Sequence, residues 1–242
     1  MKVWRLLPFL NADGQTQMAI DAAIFEGHRL GESPPTLRFY QWQRPTLSLG
    51  YHQRQIPEHW RSIQVNGRPI ELVQRPTGGR GVLHAGDLTY AVIGSSFADS
   101  RSIAYAEICK FLITGWGKLG IRLQYGTTGR GYIHNPNCFG TATRADLVLE
   151  NDSKLIGSAQ KRSGSVILQH GSMALSPDRN LWESIFQEPA PEIPEAIQTI
   201  DRTTLIQTLT QAAIEAFQLD AIEVHSLNSF EENWVNHARK DH

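Results

Sequence analysis

Along the chain, hydrophobic and polar positions alternate in two rhythms, one of about 3.6 residues and one of two. In residues 15–30 the apolar side chains Met18, Ala19, Ala22, Ala23 and Phe25 recur at helical spacing, and Gly27 and Gly31 suit the end of that helix. Before it, the short apolar stretch 6–10 reads as a first strand. Residues 37–42 and 46–51 read as two strands joined by a turn at Arg44-Pro45, and 70–74 and 87–94 as two more. Residues 101–119 set Ile108, Phe111, Leu112, Gly115 and Leu119 on one face, as a helix would. A polar, glycine-rich stretch then runs from 126 to 144, longer than an ordinary connection, and stretches of that length usually carry function or disorder. Segments 145–150, 154–161 and 165–175 are strand-like. A proline-rich link at 188–194 leads to a helical last third, with Asp201 as an N-cap before Leu205, Leu209, Ala212, Ala213, Ala216 and Phe217. Strands interspersed with peripheral helices, without strict alternation, indicate an α+β fold.

The length, 242 residues, fits one domain spanning 1–242, with 195–242 as a helical segment packed on it. Charge adds exclusions. Twenty-three basic residues balance 24 acidic ones at a pI near 6.8, which argues against a dedicated nucleic-acid binder. An apolar fraction of 40% without a long charge block excludes a disordered chain. No apolar run reaches the ~18 residues of a membrane span, and the 6–10 stretch, broken by Pro8, is too short for a signal peptide. Two cysteines, Cys109 and Cys138, make no disulfide framework, so the expected compartment is the reduced cytoplasm.

Several segments carry candidate chemistry. In Gly78-Gly79-Arg80-Gly81 the glycines allow close backbone approach to a ligand, and Arg75 and Arg80 beside them are suited to a carboxylate or phosphate. A glycine-rich hairpin turn explains the same letters equally well. Gly115-Trp116-Gly117-Lys118-Leu119-Gly120 spells GxGxxG, but it falls at a helix end rather than after a strand, so its glycines read as a helix stop. No phosphate-loop or nucleophile-elbow motif occurs, and without HExxH or CxxC no zinc site is expected. His84 and His170, next to turn glycines, each read alone as hydrogen-bonded structural histidines. Cys109, beside the apolar helix face, reads as a small core residue. Cys138, in the polar Asn135-Pro136-Asn137-Cys138-Phe139-Gly140, is either a nucleophile or an incidental surface thiol. Lys154 opens a strand, where solvated termini and sites both place lysines.

The order of these pieces resembles the biotin/lipoate protein ligase and octanoyltransferase superfamily, over most of residues 15–175. Met18-Ala19-Ile20-Asp21 is similar to its opening helix, and Leu37-Arg38-Phe39-Tyr40-Gln41-Trp42 with Pro45-Thr46-Leu47-Ser48-Leu49-Gly50 to its first strand pair. Arg75-Pro76-Thr77-Gly78-Gly79-Arg80-Gly81-Val82-Leu83-His84 resembles its signature loop. Residues 154–160 and Gln169-His170-Gly171-Ser172 resemble its second half. Cys138-Phe139, upstream of Asp146-Leu147-Val148, looks like the nucleophile position of the cysteine-dependent octanoyltransferases, although Gly140–Arg144 departs from their pattern.

The resemblance implies a mixed-sheet catalytic domain, similar also to class II aminoacyl-tRNA synthetases. It implies a Cys138 acyl-enzyme that takes an octanoyl or lipoyl group from an acyl carrier protein thioester and passes it to a lysine of a lipoyl domain, of a glycine-cleavage H protein or a dehydrogenase E2 subunit. Lys154 would lower the thiol pKa and stabilise the carbonyl oxygen. Arg75, Thr77, Gly78, Gly79, Arg80, His84, Gly157, Ser158, Ala159, Gln160, His170 and Gly171 would line the substrate site, and Leu83, Val92 and Ile156 an apolar tunnel. No cofactor and no metal are expected, and a monomer suits a docking enzyme. The alternatives are a ligase using ATP and Mg²⁺ through a lipoyl-adenylate, with Cys138 incidental, and a non-catalytic binding module.

Overall fold

The computed structural model describes residues 1–126 and 146–239; Cys138, with the rest of 127–145, lies outside the described residues. In chain order the elements are β1 (Val3–Ala12), α1 (Gly14–Leu30), β2 (Thr36–Trp42), β3 (Thr46–Leu49), β4 (Gln64–Val65), β5 (Arg68–Pro69), β6 (Glu71–Gln74), β7 (Val82–His84) and β8 (Asp87–Gly94). Then come α2 (Arg101–Lys118), β9 (Gln124–Tyr125), β10 (Asp146–Val148), β11 (Lys154–Ser163), β12 (Val166–Ala174), α3 (Arg179–Phe186), α4 (Glu195–Gln198), α5 (Arg202–Phe217), β13 (Ala221–Val224) and α6 (Ser229–Ala238). Eight strands make one mixed sheet in the order β13-β1-β2-β8-β12-β11-β10-β9, and β6-β3-β7 make a second, smaller sheet. This is the expected α+β class.

The alternation of β8 shows how the large sheet is covered on both faces. Tyr90 and Val92 join a cluster with Ile108, Phe111 and Leu112 of α2 and Leu205, Leu209 and Ala213 of α5. Ala91 and Ile93, from the same strand, join Ile20, Ala23 and Ile24 of α1. All eight residues of β8 are buried, which is why it reads as a nearly continuous apolar run. α1 begins at Asp13, whose side chain accepts from the Thr16 N–H at 2.7 Å, and ends at Gly31 with φ +82°. The expected Asp201 cap is present: its carboxylate accepts from the Thr204 N–H at 2.8 Å.

Four local expectations are corrected. Residues 37–42 and 46–51 are not a hairpin: β2 pairs with β1 and β8, whereas β3 leaves for the small sheet, parallel to β6 and antiparallel to β7. Arg44-Pro45 is therefore a crossing between sheets. It is pinned by the Thr46 hydroxyl, 2.9 Å from both the Arg44 carbonyl and the Glu71 carboxylate. The loop after β6 is likewise no hairpin turn, because β6 and β7 flank β3 on opposite sides. Gly115 and Gly117 lie inside α2, and the stop is Gly120 at φ +78°. Gly115 is a packing glycine: a methyl there would stand 2.7 Å from Leu209 Cδ2 of α5. The tail is less purely helical than expected, since β13 adds a parallel edge strand to β1.

Candidate active site

The cleft grows from the register of the large sheet. Tyr40, Thr89, Ser172 and Gly157 are paired in one row across β2, β8, β12 and β11, and Arg38, Ala91, His170 and Ala159 in the next row on the same face. Small residues on β11 keep the trough open there, while Met18, Tyr40, Trp42 and Val82 wall it elsewhere. Its cavity volume is about 50 Å³, a narrow slot well below the ~300–1,000 Å³ usual for small-molecule sites. The small sheet and the Arg75–Gly81 loop close it from above. Gly50 permits that closure: a methyl there would sit 2.0 Å from the Gly79 carbonyl oxygen.

Two buried hydrogen-bonded relays fix the loop to the sheet. In the first, the His84 Nδ1 lies 2.7 Å from Asp87 Oδ2 and its Nε2 2.7 Å from Ser48 Oγ, with the ring stacked on Trp42 at 3.8 Å. Burial pushes the His84 pKa below its usual value; Asp87 opposes this, and Arg75 and His170 add to it. The neutral ring donates from Nδ1 to Asp87 and accepts the Ser48 hydroxyl at Nε2. Asp87 also accepts from Ser172 at 2.7 Å and Thr89 at 3.1 Å. In the second relay, His170 Nδ1 lies 2.7 Å from Asp21 Oδ2 and its Nε2 2.6 Å from Thr77 Oγ1. Asp21 is further held by Arg38 at 2.8 Å and the Tyr40 hydroxyl at 3.0 Å. Burial alone would raise the Asp21 pKa, but Arg38, His170 and Tyr40 together hold the carboxyl below its ordinary value.

Arg75 lines the cleft, but its guanidinium turns into the loop. It donates to the Ser48 carbonyl at 2.5 Å, the Ser48 hydroxyl at 2.8 Å, and the Gly78 and Arg80 carbonyls at 3.2 and 2.8 Å. The arginine shapes the loop from inside. Of the residues the sequence nominated, Arg75, Gly79, His84, Gly157, Ser158, Ala159, His170 and Gly171 line the cleft together. Thr77 stands one bond behind, through His170. Gly78, Arg80, Gln160 and Lys154 are not part of the lining; the Gln160 amide donates to Gln169 Oε1 at 2.7 Å instead. Lys154 is buried at the start of β11, its Nζ 2.9 Å from Asp146 Oδ1. Among the described residues, no group of three His, Cys, Asp or Glu side chains is placed to hold a metal ion.

Leu83, Val92 and Ile156 are core rather than tunnel; they pack in the α2 cluster and line no part of the cleft. A strand shows its two faces only once its register is known, so an apolar residue could be assigned to the wrong side. Cys109 is core, as expected. Burial raises its thiol to about 12, against the opposing Gln169 bond at 3.5 Å, so it stays protonated at neutral pH. Sequence reasoning left Asp21, Ser48 and Asp87 without a role. The signal was present for Asp21: a carboxylate at a fully buried position amid Met18, Ile20 and Ile24 needs partners.

The lipoyl protein ligase A/B catalytic-domain model matches residues 13–230. Octanoyltransferase LipM of Anoxybacillus flavithermus is 36% identical over 208 residues, covering 81% of this chain and 74% of the relative. Octanoyltransferase LipM of Brevibacillus brevis is 34% identical over 236 residues, covering 90% and 85%. In fold, the chain is similar to a Thermoplasma acidophilum protein solved with bound lipoic acid, at a TM-score of 0.83, 20% identity and coverage of 100% and 96%. It is also similar to lipoate-protein ligase A bound with ATP, at 0.73, 19%, and 98% and 92%. The chain belongs to the lipoyl protein ligase A/B catalytic-domain family.

Proposed function

We propose that this protein is an octanoyltransferase of protein lipoylation, moving an octanoyl group from a carrier-protein thioester to a lysine of a lipoyl domain. The observation that carries the reading is 34–36% identity to curated octanoyltransferases across most of their length. The ligase structures, at 19–20% identity, speak for the fold alone.

The reaction runs in two displacements. The Cys138 thiolate adds to the incoming thioester carbonyl, the carrier's sulfur leaves as a thiol once protonated, and octanoyl-Cys138 remains. The neutral amine of the acceptor lysine then attacks that thioester. An amide forms, the ammonium proton is lost, and the Cys138 thiolate is released. One thioester replaces another at little cost in the first step, and amide formation drives the second. Lys154 supplies a buried positive charge, anchored by Asp146, suited to holding the thiolate and the developing oxyanion. Gly157, Ala159 and Gly79 let backbone approach the acyl chain closely, and Met18, Tyr40, Trp42 and Val82 give it an apolar wall. Each buried methylene contributes ~0.8 kcal/mol, so an eight-carbon chain gains several kcal/mol of recognition.

The donor is an acyl carrier protein, the enzyme acts as a monomer in the reducing cytoplasm, and neither nucleotide nor metal takes part. Intact-mass measurement with octanoyl-carrier protein and no nucleotide tests the scheme. A mass adduct mapping to Cys138, absent in Cys138→Ala, is the expected result. Unimpaired transfer by Cys138→Ala, or transfer only with ATP, Mg²⁺ and free acid, would select the adenylate route instead.

A further inference from the structure

The acyl slot is smaller than the chain it has to hold. At about 50 Å³ it takes roughly three to five groups the size of a water molecule, and eight carbons need about twice that room. The row Gly157, Ser172, Thr89 and Tyr40 crosses four neighbouring strands, three spacings of ~4.8 Å, so the lining spans roughly 14 Å from β11 to β2. Lys154 and Asp146 stand at the β11 end, which the transferase reading makes the reacting end. Met18, Tyr40 and Trp42 wall the opposite end, where the chain terminates.

Beyond that end lies a second space. A groove of about 900 Å³ runs between α1 and β6, with Gln15, Ala19 and Ala22 of the helix on one wall and Leu72 and Val73 of the strand on the other. Among the described residues, Met18 and Arg75 alone border both the slot and the groove, so these two side chains form the partition. They differ in freedom. Arg75 is held by its hydrogen bonds to Ser48 and to the Gly78 and Arg80 carbonyls. The rest of the end wall is fixed too: the Tyr40 hydroxyl donates to Asp21, and the Trp42 indole N–H donates to Thr89 at 2.9 Å while its ring stacks on His84. The buried Met18 side chain is held by packing alone, and its three rotatable bonds let it change rotamer at small cost.

We propose that Met18 is the movable end wall of the acyl slot and sets the chain length the enzyme accepts: the last carbons of the chain push its side chain aside and enter the groove between α1 and β6. The inference rests on the transferase reading and adds how the site measures its substrate. The groove suits an alkyl end, since Ala19, Ala22, Leu72 and Val73 are apolar and the two alanines leave room for the displaced methionine beside the chain. Short chains end before Met18 and lose its contact. Long chains must hold it displaced, at a cost in packing. A medium chain is favoured between those limits.

The test uses Met18→Ala and Met18→Phe in the full chain, with hexanoyl-, octanoyl- and decanoyl-pantetheine as donors and a lipoyl domain as acceptor. Met18→Ala should raise the decanoyl-to-octanoyl ratio of kcat/KM roughly tenfold, and Met18→Phe should lower the octanoyl-to-hexanoyl ratio by about the same factor, the size expected for two buried methylenes. Adding Ala22→Phe, whose ring leans back over position 18 from the next turn of α1, should close the groove and return the Met18→Ala ratio to the wild-type value. Each ratio is taken on one preparation, so partial unfolding, which lowers both rates alike, leaves it unmoved. Equal changes at all three chain lengths would overturn the proposal. So would a Met18→Ala, Ala22→Phe protein that keeps the preference for the longer chain. If the wild type transfers from none of the three thioesters, the transferase reading itself fails, which is a separate result.

Discussion

Asp21→Asn is the substitution that tests the buried relay most directly. The fully buried carboxylate receives the Arg38 guanidinium at one oxygen and both His170 and the Tyr40 hydroxyl at the other. Asparagine keeps the shape but has one oxygen and one amide nitrogen. With the amide nitrogen towards Arg38 a donor faces a donor, and with it towards Tyr40 and His170 both of those groups must turn from donor to acceptor; either way Arg38, 1% exposed, loses its counter-charge. Removing one partner of a buried ion pair costs roughly 3–5 kcal/mol. For a chain of this length each kcal/mol moves Tm by roughly 2–4 °C, so a fall of about 6–20 °C is expected by circular dichroism or calorimetry. Acid sensitivity should change as well. The Asp21 pKa lies below its unfolded value of 3.8, so its stabilisation is full above that pH and is lost as pH falls through the lowered folded value. The variant should therefore show a shallower acid arm below about pH 4. Octanoyl transfer should fall too, because His170 no longer holds Thr77. A Tm within about 2 °C of wild type, or Asp21→Asn and Arg38→Gln losses that simply add in the double variant, would refute the coupled relay.

Three further outcomes are expected. Gly50→Ala, whose methyl meets the Gly79 carbonyl oxygen at 2.0 Å, should displace the glycine loop and reduce transfer by at least tenfold, read as kcat/KM on octanoyl-carrier protein. Iodoacetamide at pH 7.5 should alkylate the native protein at Cys138 and leave Cys109 unmodified until denaturant is added, as peptide mass mapping will show, because burial holds the Cys109 thiol up at about 12. Lys154→Met should lower both Tm and transfer by leaving Asp146 without its buried cation, and adding Asp146→Leu should recover Tm but not transfer.

The parts of the fold visible in the sequence were those with local causes. α1, α2 and α5 announced themselves by periodicity and caps, and β8 and β12 by dense apolar runs. What stayed hidden depended on pairing. Nothing local distinguishes a β2–β3 hairpin from a crossing between sheets, since both begin with the same Arg44-Pro45. The cleft followed the same division. Its glycines and histidines were recognised by motif, whereas Ser48 and Asp87 gain a role only when the small sheet is laid over the large one. Their residue types are common in strands and turns, so no spacing could single them out. Val92 and Ile156 were assigned to the wrong face for the same reason: composition marks a residue as buried but does not say against what.

Arg5 on β1 forms a buried ion pair with Glu231 at the head of α6, and Ser33 donates to the same carboxylate at 2.6 Å. Until a ribosome has delivered residue 231, that arginine has no counter-charge, and β1 has no β13 beside it. A nascent chain that has emerged only as far as β12 therefore carries the whole described cleft but an open sheet edge with an unpaired cation. Pulling force or protease sensitivity measured on stalled chains should register consolidation of the fold late, when α6 clears the exit tunnel, rather than when the site itself is complete.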